Sequence, residues 1–365
     1  MSTTNWLDDE RVHAAMSTNA KAAGDRVKAL ERQMAEHSMA GHWMPRIRHP
    51  SLEPVLWKWP EIHAFLQEAG EVVPIGHAGE ATARRTVNLV NPALGDFKAT
   101  SKTLQMSVQL IKPGENAEAH RHTEALRFVV ESTGTYTAVN GERMIMEPGD
   151  LVLTPTMAWH DHFNPTGDQA IWLDVLAGHL TRYMDASYSE QFPEGAAQPI
   201  TKPDGYSRRR YGAMRPRVLD EDARLGVPYT YKWSETREAL EQLDAAGDRD
   251  PYDGVLLEYT NPVTGGPTMP IIGCWAQMLR PGEQTRPHRH MGISISHVVG
   301  GSGVTDVGRG GDATTLEWST RDCFFVPSWQ WHQHRNSSSE EPAFLFSVTD
   351  RPVMEALGVY RVEKG

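Results

Sequence analysis

The chain is poor in cysteine and has no long apolar run. Its 365 residues include two cysteines, Cys274 and Cys323, which is too few for a disulfide framework. Such low cysteine usage is typical of a reducing compartment, so we expect a cytoplasmic protein. There is no stretch of about 18 apolar residues, and the N-terminus shows no basic segment followed by an apolar core. We therefore expect neither a transmembrane helix nor a signal peptide.

The chain also lacks an excess of basic residues. It carries 36 Lys and Arg against 47 Asp and Glu, which gives a formal net charge of −11. Nucleic acids and anionic membranes repel a negative protein, so we expect neither as a main partner. The glycine-rich residues 300–303 and 308–311 do not form a phosphate loop before a helix, and they predict no nucleotide site.

What the chain does contain is a histidine pattern that occurs twice, a His-Arg-His triplet followed downstream by another histidine. The two copies are His120, His122 and His160, then His288, His290 and His332. Alternate residues of a strand point to the same face, so each triplet aims two imidazoles at one point, and a later strand can add the third. Three neutral imidazoles with open positions suit a divalent transition metal that binds substrate or O2 directly.

The two copies match over more than their histidines. The sequence QLIKPGENAEAHRH at residues 109–122 corresponds to QMLRPGEQTRPHRH at residues 277–290. Each third histidine follows a tryptophan and precedes an asparagine four residues later. The chain has 16 histidines, so chance placement is the alternative, but it does not account for the matched surroundings. The self-match indicates a duplicated domain.

Short apolar segments alternate with turns around both copies. Turn signals such as Pro113-Gly114 and Asn140-Gly141 separate runs rich in valine and leucine. Closely spaced strands of this kind predict a small sandwich or jelly-roll barrel. We expect a mainly β protein with a helical N-terminal segment (1–75), a first barrel (76–180), a mixed linker with helices (181–254) and a second barrel with a closing helix (255–365).

Two spacings resemble the cupin signature. One joins Gly114 to the first histidine pair, and the other joins the later proline, histidine and asparagine. Many cupins add a glutamate ligand four or five residues after the second histidine, where this chain has Leu126 and Arg127. At a rise of about 3.3 Å per residue, Glu124 lies about 13 Å along the strand from His120, too far for both to bind one ion. We therefore expect two tandem cupins, a bicupin, with three histidines and no carboxylate in the first site.

A three-histidine site has a chemical consequence. An Fe(II) ion held there keeps its +2 charge and three open positions, which suit a bidentate oxygen ligand and O2. An ortho-hydroxybenzoate, which offers phenolate and carboxylate together, would neutralise that charge. Arg127 is placed to pair with a carboxylate or with negative charge on oxygen, unless it forms a salt bridge at the barrel rim. His162 is expected to donate to the substrate or to shuttle a proton, unless it is a structural histidine.

Several runs of sequence resemble one family in particular, the gentisate and salicylate 1,2-dioxygenases. They are HRHTEALRFVVES (120–132), GDLVLTPTMAWHDHFN (149–164), IWLDVL (171–176), the upstream RRTVNLVNP (84–92) and the terminal MEAL (354–357). The likeness covers most of the chain beyond the first fifty residues.

This resemblance implies an O2-dependent, ferrous cleavage between the carboxyl-bearing and hydroxyl-bearing ring carbons, which would convert gentisate to maleylpyruvate. It also implies a homotetramer. By matched position it implies iron ligands His120, His122 and His160, pocket residues Arg127, His162, Gln109 and Asp174, and Arg84 or Arg85 reaching the substrate carboxylate. For Asp174 the alternative is a core carboxylate with a hydrogen-bond partner.

Two departures from the family pattern leave questions open. The salicylate-active members carry a tryptophan in the strand before Gln109, where this chain has Gln105 and Met106. Gentisate, salicylate, 5-nitrosalicylate and 1-hydroxy-2-naphthoate therefore all stay candidate substrates. The second site keeps its histidines, but Ile295 stands where the spacing places the equivalent of Arg127. We expect that site to bind a metal without catalysing the reaction.

Two other classes of protein are alternatives. A manganese bicupin of the oxalate decarboxylase type usually keeps the glutamate ligand, which the first site lacks. A non-catalytic bicupin binding protein often loses its histidines, whereas both sets are intact here. The leading hypothesis is accordingly an Fe(II)- and O2-dependent dioxygenase of a small aromatic hydroxy acid.

Overall fold

The computed structural model describes residues 10–41, 51–75, 84–193, 197–213 and 226–365. Residues 1–50 form a unit of their own, whose described part contains a long helix, as the sequence predicted. Residues 51–365 form the second unit, which contains both barrels. The predicted boundary between residues 75 and 76 lies at the edge of the described residues.

The second unit consists mainly of strands. The α-helices of the whole described chain are α1 (Glu10–Glu36), α2 (Trp59–Val72), α3 (Gly178–Tyr183), α4 (Tyr206–Tyr211), α5 (Trp233–Ala246) and α6 (Arg351–Ala356). The strands of the first half are β1 (Val55–Trp57), β2 (Thr86–Asn88), β3 (Gln105–Ile111), β4 (Asn116–His122), β5 (Ala125–Glu131), β6 (Tyr136–Val139), β7 (Glu142–Ile145), β8 (Leu151–Thr154), β9 (His160–Phe163), β10 (Ala170–Leu176) and β11 (Ser189–Gln191). The strands of the second half are β12 (Thr230–Tyr231), β13 (Val255–Glu258), β14 (Gly273–Leu279), β15 (His288–His290), β16 (Ser294–Gly300), β17 (Ser302–Val307), β18 (Thr314–Ser319), β19 (Cys323–Val326), β20 (His332–Asn336), β21 (Ala343–Thr349) and β22 (Val362–Lys364).

Each barrel is built from one six-stranded and one five-stranded sheet. In the first barrel the strand orders are β12-β8-β5-β10-β3-β2 and β11-β4-β9-β6-β7. The second barrel repeats them as β1-β19-β16-β21-β14-β13 and β22-β15-β20-β17-β18. The predicted pair of jelly-roll barrels is thus confirmed, and the two histidine triplets lie on equivalent strands, β4 and β15.

The two repeats exchange their first strands. Strand β1 pairs with β19 of the second barrel, although α2, which follows it, packs on β2 and β3 of the first. In the same way β12 pairs with β8 of the first barrel, and α5 packs on β13 and β14 of the second. The sequence predicted a helical segment and a linker here. The structure shows instead that each of them gives a strand to one barrel and a helix to the other.

An aspartate anchors each exchange. Asp150 accepts hydrogen bonds from Lys232 Nζ (2.5 Å) and from the amide of Trp233 (3.0 Å) at the start of α5. Asp322 does the same with Lys58 Nζ (2.9 Å) and the amide that follows it (2.7 Å) at the start of α2. A carboxylate in this place satisfies an amide that has no partner within the helix and interacts favourably with the helix dipole. These contacts explain why the dipeptide Lys-Trp stands at the start of both helices, with the lysine at the N-cap.

One hydrophobic core runs through both barrels. Phe128 of β5 stacks on Phe346 of β21 with ring centroids 4.0 Å apart, and both side chains are buried. Such an aromatic pair adds about 0.5–1.5 kcal/mol beyond its apolar burial. A polar contact crosses as well, because Thr103 donates to Asp350 at 2.7 Å. The barrels therefore form a single packed body.

The two cysteines belong to the interior. Cys274 in β14 and Cys323 in β19 are free and buried. Burial raises the pKa of both thiols, so they serve as small packing residues. Within the described residues, no helix has both the length and the apolar character that crossing a membrane requires.

Candidate active site and metal centres

Three histidines of the first barrel converge on one point. His120 and His122 lie on β4, and His160 lies on β9 directly across from His120. Their candidate ligand nitrogens are all within 4.8 Å of one another. Each Nδ1 faces a backbone carbonyl, at 3.1 Å for His120, 2.5 Å for His122 and 3.1 Å for His160. For His122 and His160 that hydrogen bond selects the tautomer and leaves Nε2 for a shared ion, whereas Nδ1 of His120 also has the guanidinium of Arg84 at 2.6 Å.

The surroundings keep these imidazoles neutral, as metal ligands must be. Burial, with a further contribution from Arg84, lowers the pKa of His120 to about 2. Burial also lowers the pKa of His122 to about 4, and that of His160 well below its usual value. The buried Nε2 of His160 has no hydrogen-bond partner among the described residues. A buried acceptor without a partner requires an explanation, and this donor set fits a divalent transition metal.

Glu124 does not join the cluster, as the distance argument predicted. Its Oε1 accepts hydrogen bonds from the amides of Ile271 (2.7 Å) and Ile272 (3.1 Å), in the segment that leads into β14. Burial raises the pKa of this carboxyl to about 7. Glu124 therefore connects the two barrels, and the cluster found among the described residues consists of histidines alone.

A cavity of about 580 Å³ adjoins His120 and His122. Its charged lining residues are four cations and one carboxylate, Arg84, Lys98, Arg127, Arg182 and Asp174. An excess of positive charge in a concave site favours a small anionic ligand. The volume is within the range of pockets that hold small organic molecules.

Arg127 and Asp174 form a buried ion pair in the cavity wall. Arg127 Nε lies 3.3 Å from Asp174 Oδ1, and its Nη1 donates to Thr154 Oγ1 at 2.5 Å. Asp174 Oδ2 accepts from the indole of Trp172 at 3.1 Å. Burial lowers the pKa of Arg127 and raises that of Asp174, and their mutual attraction opposes both changes. Both residues line the cavity, so this pair is at the same time a salt bridge and part of the pocket.

The two adjacent arginines have different positions. Arg84 lines the cavity, and its Nη2 lies 2.8 Å from the carbonyl of Glu118 and 2.6 Å from Nδ1 of His120. Arg85 instead makes a bidentate ion pair with Glu115, at 2.9 Å for both bonds, and donates to the carbonyl of Val73. Consecutive residues of an extended chain point to opposite faces. Of the two arginines that the resemblance offered for the substrate carboxylate, Arg84 is therefore the one that lines the cavity, and the guanidinium of Arg85 is engaged by Glu115 and Val73.

His162 and Gln109 each present a buried polar atom without a partner among the described residues. His162 lies two residues beyond His160, with its Nδ1 2.8 Å from the hydroxyl of Thr137 and its Nε2 unpartnered. Gln109 lines the cavity, and its Nε2 is the unpartnered atom. Such atoms are rare in native interiors and point to an unseen ligand or to a catalytic role.

Comparison with known proteins identifies the family. A model of the Cupin domain matches residues 107–176 and 275–349. A 5-aminosalicylate 1,2-dioxygenase from Comamonas sp is 38% identical over 91% of this chain and 89% of its own. A gentisate 1,2-dioxygenase from Aquipseudomonas alcaligenes is 37% identical over 84% of this chain and 86% of its own. The chain belongs to the gentisate and salicylate 1,2-dioxygenase family.

The fold agrees with this membership. The crystal structure of salicylate 1,2-dioxygenase from Pseudoaminobacter salicylatoxidans with gentisate matches with a TM-score of 0.81 at 30% identity, over 93% of this chain and 94% of that one. The protein is therefore a ring-cleaving dioxygenase. The decarboxylase and the non-catalytic binding protein that the sequence left as alternatives are set aside.

The cavity of the dioxygenase is also lined by residues that the sequence did not single out. Among them are His179 and Arg182 of α3, Phe97 and Lys98 before β3, and Ser189 of β11. A six-residue helix after the last barrel strand has no periodicity that would mark a binding face. Gln105, which the sequence noted as a departure from the family, also lines the cavity and is hydrogen-bonded to His179.

The second barrel holds an equivalent triad. His288 and His290 lie on β15, and His332 lies on β20 directly across from His288. Their candidate ligand nitrogens are also within 4.8 Å of one another. The predicted second histidine cluster is thus present in the dioxygenase.

The equivalence proposed for Ile295 is wrong by one residue. In the first barrel Arg127 pairs with Asp174 of β10 and Val152 of β8. The corresponding pairing in the second barrel belongs to Ser296, which lies across from Ser347 of β21 and Phe324 of β19. The second copy has one extra residue between its histidine pair and this strand, which shifts the register. The ion pair of the first barrel is replaced by a hydrogen bond of 2.8 Å between Ser296 and Ser347.

Proposed function

We propose that this enzyme uses Fe(II) and O2 to cleave an ortho-hydroxybenzoate between its carboxyl-bearing and hydroxyl-bearing carbons, and that it favours substrates with a hydrogen-bond donor at position 5. Gentisate, with a 5-hydroxyl group, and 5-aminosalicylate are of this type. The observation that supports the proposal is the cationic cavity beside the histidine cluster, which also contains the His179–Gln105 pair.

Fe(II) bound by His120, His122 and His160 would activate O2 and chelate the phenolate and carboxylate oxygens of the substrate. The chain supplies neutral ligands, so the charge of the ion is available to an anionic substrate. Arg84 adds a positive charge beside His120, which disfavours protonation of that ligand. The same charge attracts the substrate into the cavity.

Arg127 is proposed to pair with the substrate carboxylate or with negative charge that develops on oxygen. Asp174 and Thr154 hold its guanidinium in place before any substrate arrives. Gln109 would donate from its unpartnered Nε2 into the same cavity. Donors that are already oriented in a water-poor site stabilise charge without the cost of reorganisation.

His162 is proposed to accept a proton inside the barrel. The hydroxyl of Thr137 lies 3.3 Å from the sulfur of Met146 and 2.8 Å from Nδ1 of His162. Because that hydroxyl donates its hydrogen to the sulfur, it accepts a hydrogen bond from Nδ1–H of His162. Nε2 of His162 then carries no hydrogen and keeps a lone pair, a tautomer that follows from the hydrogen-bond network. Burial lowers the pKa of His162, so the ring is neutral and its Nε2 is an acceptor before the reaction; negative charge that develops on a nearby substrate would favour its protonation.

The position of Gln105 suits contact with a substituent at position 5. Ser107 lies across from Asp174, at the level of Arg127, and Gln105 lies two residues further along β3, about 7 Å away. Position 5 of the ring is para to the hydroxyl group. A substituent there points away from the chelated oxygens, so a substrate held by Arg127 can direct it toward Gln105 and α3.

The hydrogen bonds of Gln105 determine what His179 can recognise. Gln105 Nε2 donates to Met106 O (2.7 Å) and Thr100 Oγ1 (3.1 Å), and its Oε1 accepts from the amide of Thr100. Nε2 of His179, 3.2 Å from that Oε1, must therefore be its donor nitrogen. Burial lowers the pKa of His179, so the neutral ring keeps a lone pair on Nδ1, which has no partner among the described residues. A 5-hydroxyl or 5-amino group can donate to it, whereas a nitro group cannot.

Oxygen uptake by anaerobically Fe(II)-loaded protein tests this proposal. We expect stoichiometric uptake with gentisate and 5-aminosalicylate, and lower kcat/KM with salicylate, 5-nitrosalicylate and 1-hydroxy-2-naphthoate. No uptake with any of them, in protein shown to hold iron, would overturn the assigned reaction. Equal kcat/KM for gentisate and 5-nitrosalicylate would overturn the donor preference alone.

The variant His179→Phe keeps an aromatic ring and removes the acceptor. We expect the ratio of kcat/KM for gentisate to that for salicylate to fall roughly 3–10-fold, the worth of one neutral hydrogen bond. Arg182→Gln is the matched control, because it changes the same helix without altering that bond. An unchanged ratio in His179→Phe would remove His179 from substrate recognition.

We further propose a divalent metal at His288, His290 and His332, a homotetrameric assembly and a cytoplasmic location. The second metal is supported by the geometry of the triad. The assembly is supported by family resemblance, and static light scattering of the purified protein tests it. Two free, buried cysteines are consistent with a reducing compartment.

A further inference from the structure

We infer that Asp253 supplies a fourth ligand to the metal of the second barrel, and that this closed site binds a structural ion of the zinc type and takes no aromatic substrate. The inference rests on the second metal proposed above and extends it. It draws on the donor atoms around the triad, on the position of Asp253, and on the side chains that replace the substrate cavity.

The donor atoms of the second triad are oriented for one ion. Nδ1 of His290 faces the carbonyl of Met291 at 3.2 Å, and Nδ1 of His332 faces that of Gln330 at 3.0 Å. Both arrangements repeat those of the first barrel and leave Nε2 free to coordinate. His288 and His332 are buried, so the bound ion would be withdrawn from solvent.

Asp253 presents a carboxylate at the ligand face of His288. Its Oδ1 lies 3.5 Å from Nε2 of that ring. Two ligand atoms that each lie about 2.0–2.2 Å from one zinc ion are about 3–3.5 Å apart. The carboxylate is thus at the distance from His288 that shared coordination requires. The cluster whose ligand atoms all lie within 4.8 Å of one another comprises the three histidines, so Asp253 would complete the site as the ion draws its ligands together.

The backbone holds Asp253 in this position. Its carbonyl accepts a hydrogen bond of 2.8 Å from Gln277 Nε2, and the next residue, Gly254, exchanges two backbone bonds of 2.8 Å with Asp250. Gly254 has φ +71°, and a Cβ there would lie 2.8 Å from the carbonyl of Met278. A glycine is therefore needed after Asp253, and the resulting turn directs the carboxylate to the histidines.

The same segment of the first barrel carries the opposite charge, one residue further along the chain. Gln109 and Gln277 are equivalent in the two copies, and they pair with Thr86 and Leu256 respectively. Counting back two residues makes Gly254 the equivalent of Arg84, and Asp253 is the residue before Gly254. Arg84 adds a cation beside the first triad, which favours an anionic substrate. Asp253 adds an anion beside the second, which favours a cation and repels a benzoate.

A bulky side chain stands in the second barrel at a position where the first barrel lines its cavity with a small one. Trp275 lies across from Ser347, and Ser107 lies across from Asp174. The strand register therefore makes Trp275 the equivalent of Ser107. The Trp275 ring centroid is 6.3 Å from that of His290. An indole therefore occupies the wall where the first barrel has only a hydroxymethyl group. Three histidines and one carboxylate would fill the tetrahedral shell of a zinc ion and leave no open position, which distinguishes a structural site from a catalytic one.

Metal analysis of the whole enzyme tests the inference. The protein is stripped with a chelator, loaded anaerobically with Fe(II) and Zn(II), desalted, and analysed by mass spectrometry for metal per chain. We expect two ions per chain in the wild type. In Asp253→Asn we expect a second ion that binds at least about tenfold more weakly, a lower Tm, and O2 uptake with gentisate within about twofold of the wild type.

Asp250→Asn is the matched control, because it removes a neighbouring carboxylate that pairs with Lys364. It should keep two ions per chain. One ion per chain in the wild type would overturn the second site, and an unchanged affinity in Asp253→Asn would overturn the fourth ligand. Absent O2 uptake in protein that binds two ions would count against the proposed reaction and leave the second site standing, so the two failures are distinguishable.

Discussion

The two barrels share a framework and differ at the positions around their metal triads. Both place a His-x-His pair across from a third histidine, and both satisfy most of the ring Nδ1 atoms with backbone carbonyls. Both also keep a Thr–His contact beyond the third ligand, Thr137 with His162 and Thr305 with His334. These shared features orient the imidazoles of each triad toward one point, as a metal site requires, and they do not distinguish the two barrels.

The difference lies in charge and in volume. The first barrel has Arg127 paired with Asp174, where the second has two serines in a neutral hydrogen bond. The first has Ser107 beside an open cavity, where the second has Trp275. The two copies thus keep the same fold and the same histidine geometry while the charge and the size of the side chains around the triad differ at a few residues.

The largest expected contrast is between the first ligand of each triad. His120→Ala should remove one metal per chain and lower O2 uptake with gentisate by more than about 10³-fold, because the ion carries the chemistry. His288→Ala should leave uptake within a few-fold of the wild type. Metal content and far-UV circular dichroism establish that both variants are folded. Equal losses of activity would end the distinction between a catalytic and a structural barrel.

The ion pair of the first barrel can be converted to the serine pair of the second. Arg127→Ser should lower kcat/KM by about 10²–10³-fold and destabilise the protein by about 3–5 kcal/mol, because Asp174 stays buried without its cation. The double variant Arg127→Ser, Asp174→Ser should recover much of that stability and none of the activity. Denaturant unfolding and oxygen uptake measure the two effects. A double variant no more stable than the single one would contradict the pairing.

Filling the first cavity as the second is filled should have a smaller effect. Ser107→Trp should lower kcat/KM roughly 10–100-fold, since forcing an indole into the substrate volume costs about 1–3 kcal/mol. Iron content should not change, because the histidines are untouched. Ser107→Ala is the control and should stay close to the wild type. Iron loss in the tryptophan variant would show that the indole disturbs the triad and does not simply exclude substrate.

Sequence alone predicted the parts of this comparison that are local. The histidine triads lie within single strands and their neighbours, so spacing was enough to find them. The counterpart of Arg127 was misplaced because one extra residue after His290 shifts the register, and only the ladder of paired strands reveals that shift. The exchanged strands β1 and β12 have three and two residues, too few for periodicity, and each pairs with a barrel far away in sequence. His179 was missed for a similar reason, since it reaches the cavity only through tertiary packing.

The smallest expected effect concerns Glu124, which forms one of the contacts between the two barrels. Burial raises the pKa of Glu124 to about 7 in the folded protein, above the usual value of about 4.3 in an unfolded chain. Between these values the native state binds more protons than the unfolded state, so this group's contribution to stability falls as pH rises from about 5 to 7.

Glu124→Gln keeps an oxygen acceptor for the amides of Ile271 and Ile272 and cannot ionise. Relative to this variant, the wild type should lose about 1–3 kcal/mol between pH 5 and pH 8. Denaturant unfolding of both proteins at each pH gives the difference between their free energies of unfolding. Effects of metal binding cancel in this difference because the triads are the same in both proteins. Glu124→Leu, which leaves both amides unsatisfied, should be destabilised at every pH. Parallel pH profiles for the wild type and Glu124→Gln would mean that Glu124 is already ionised at pH 5 and that the barrels are held together by a charged contact.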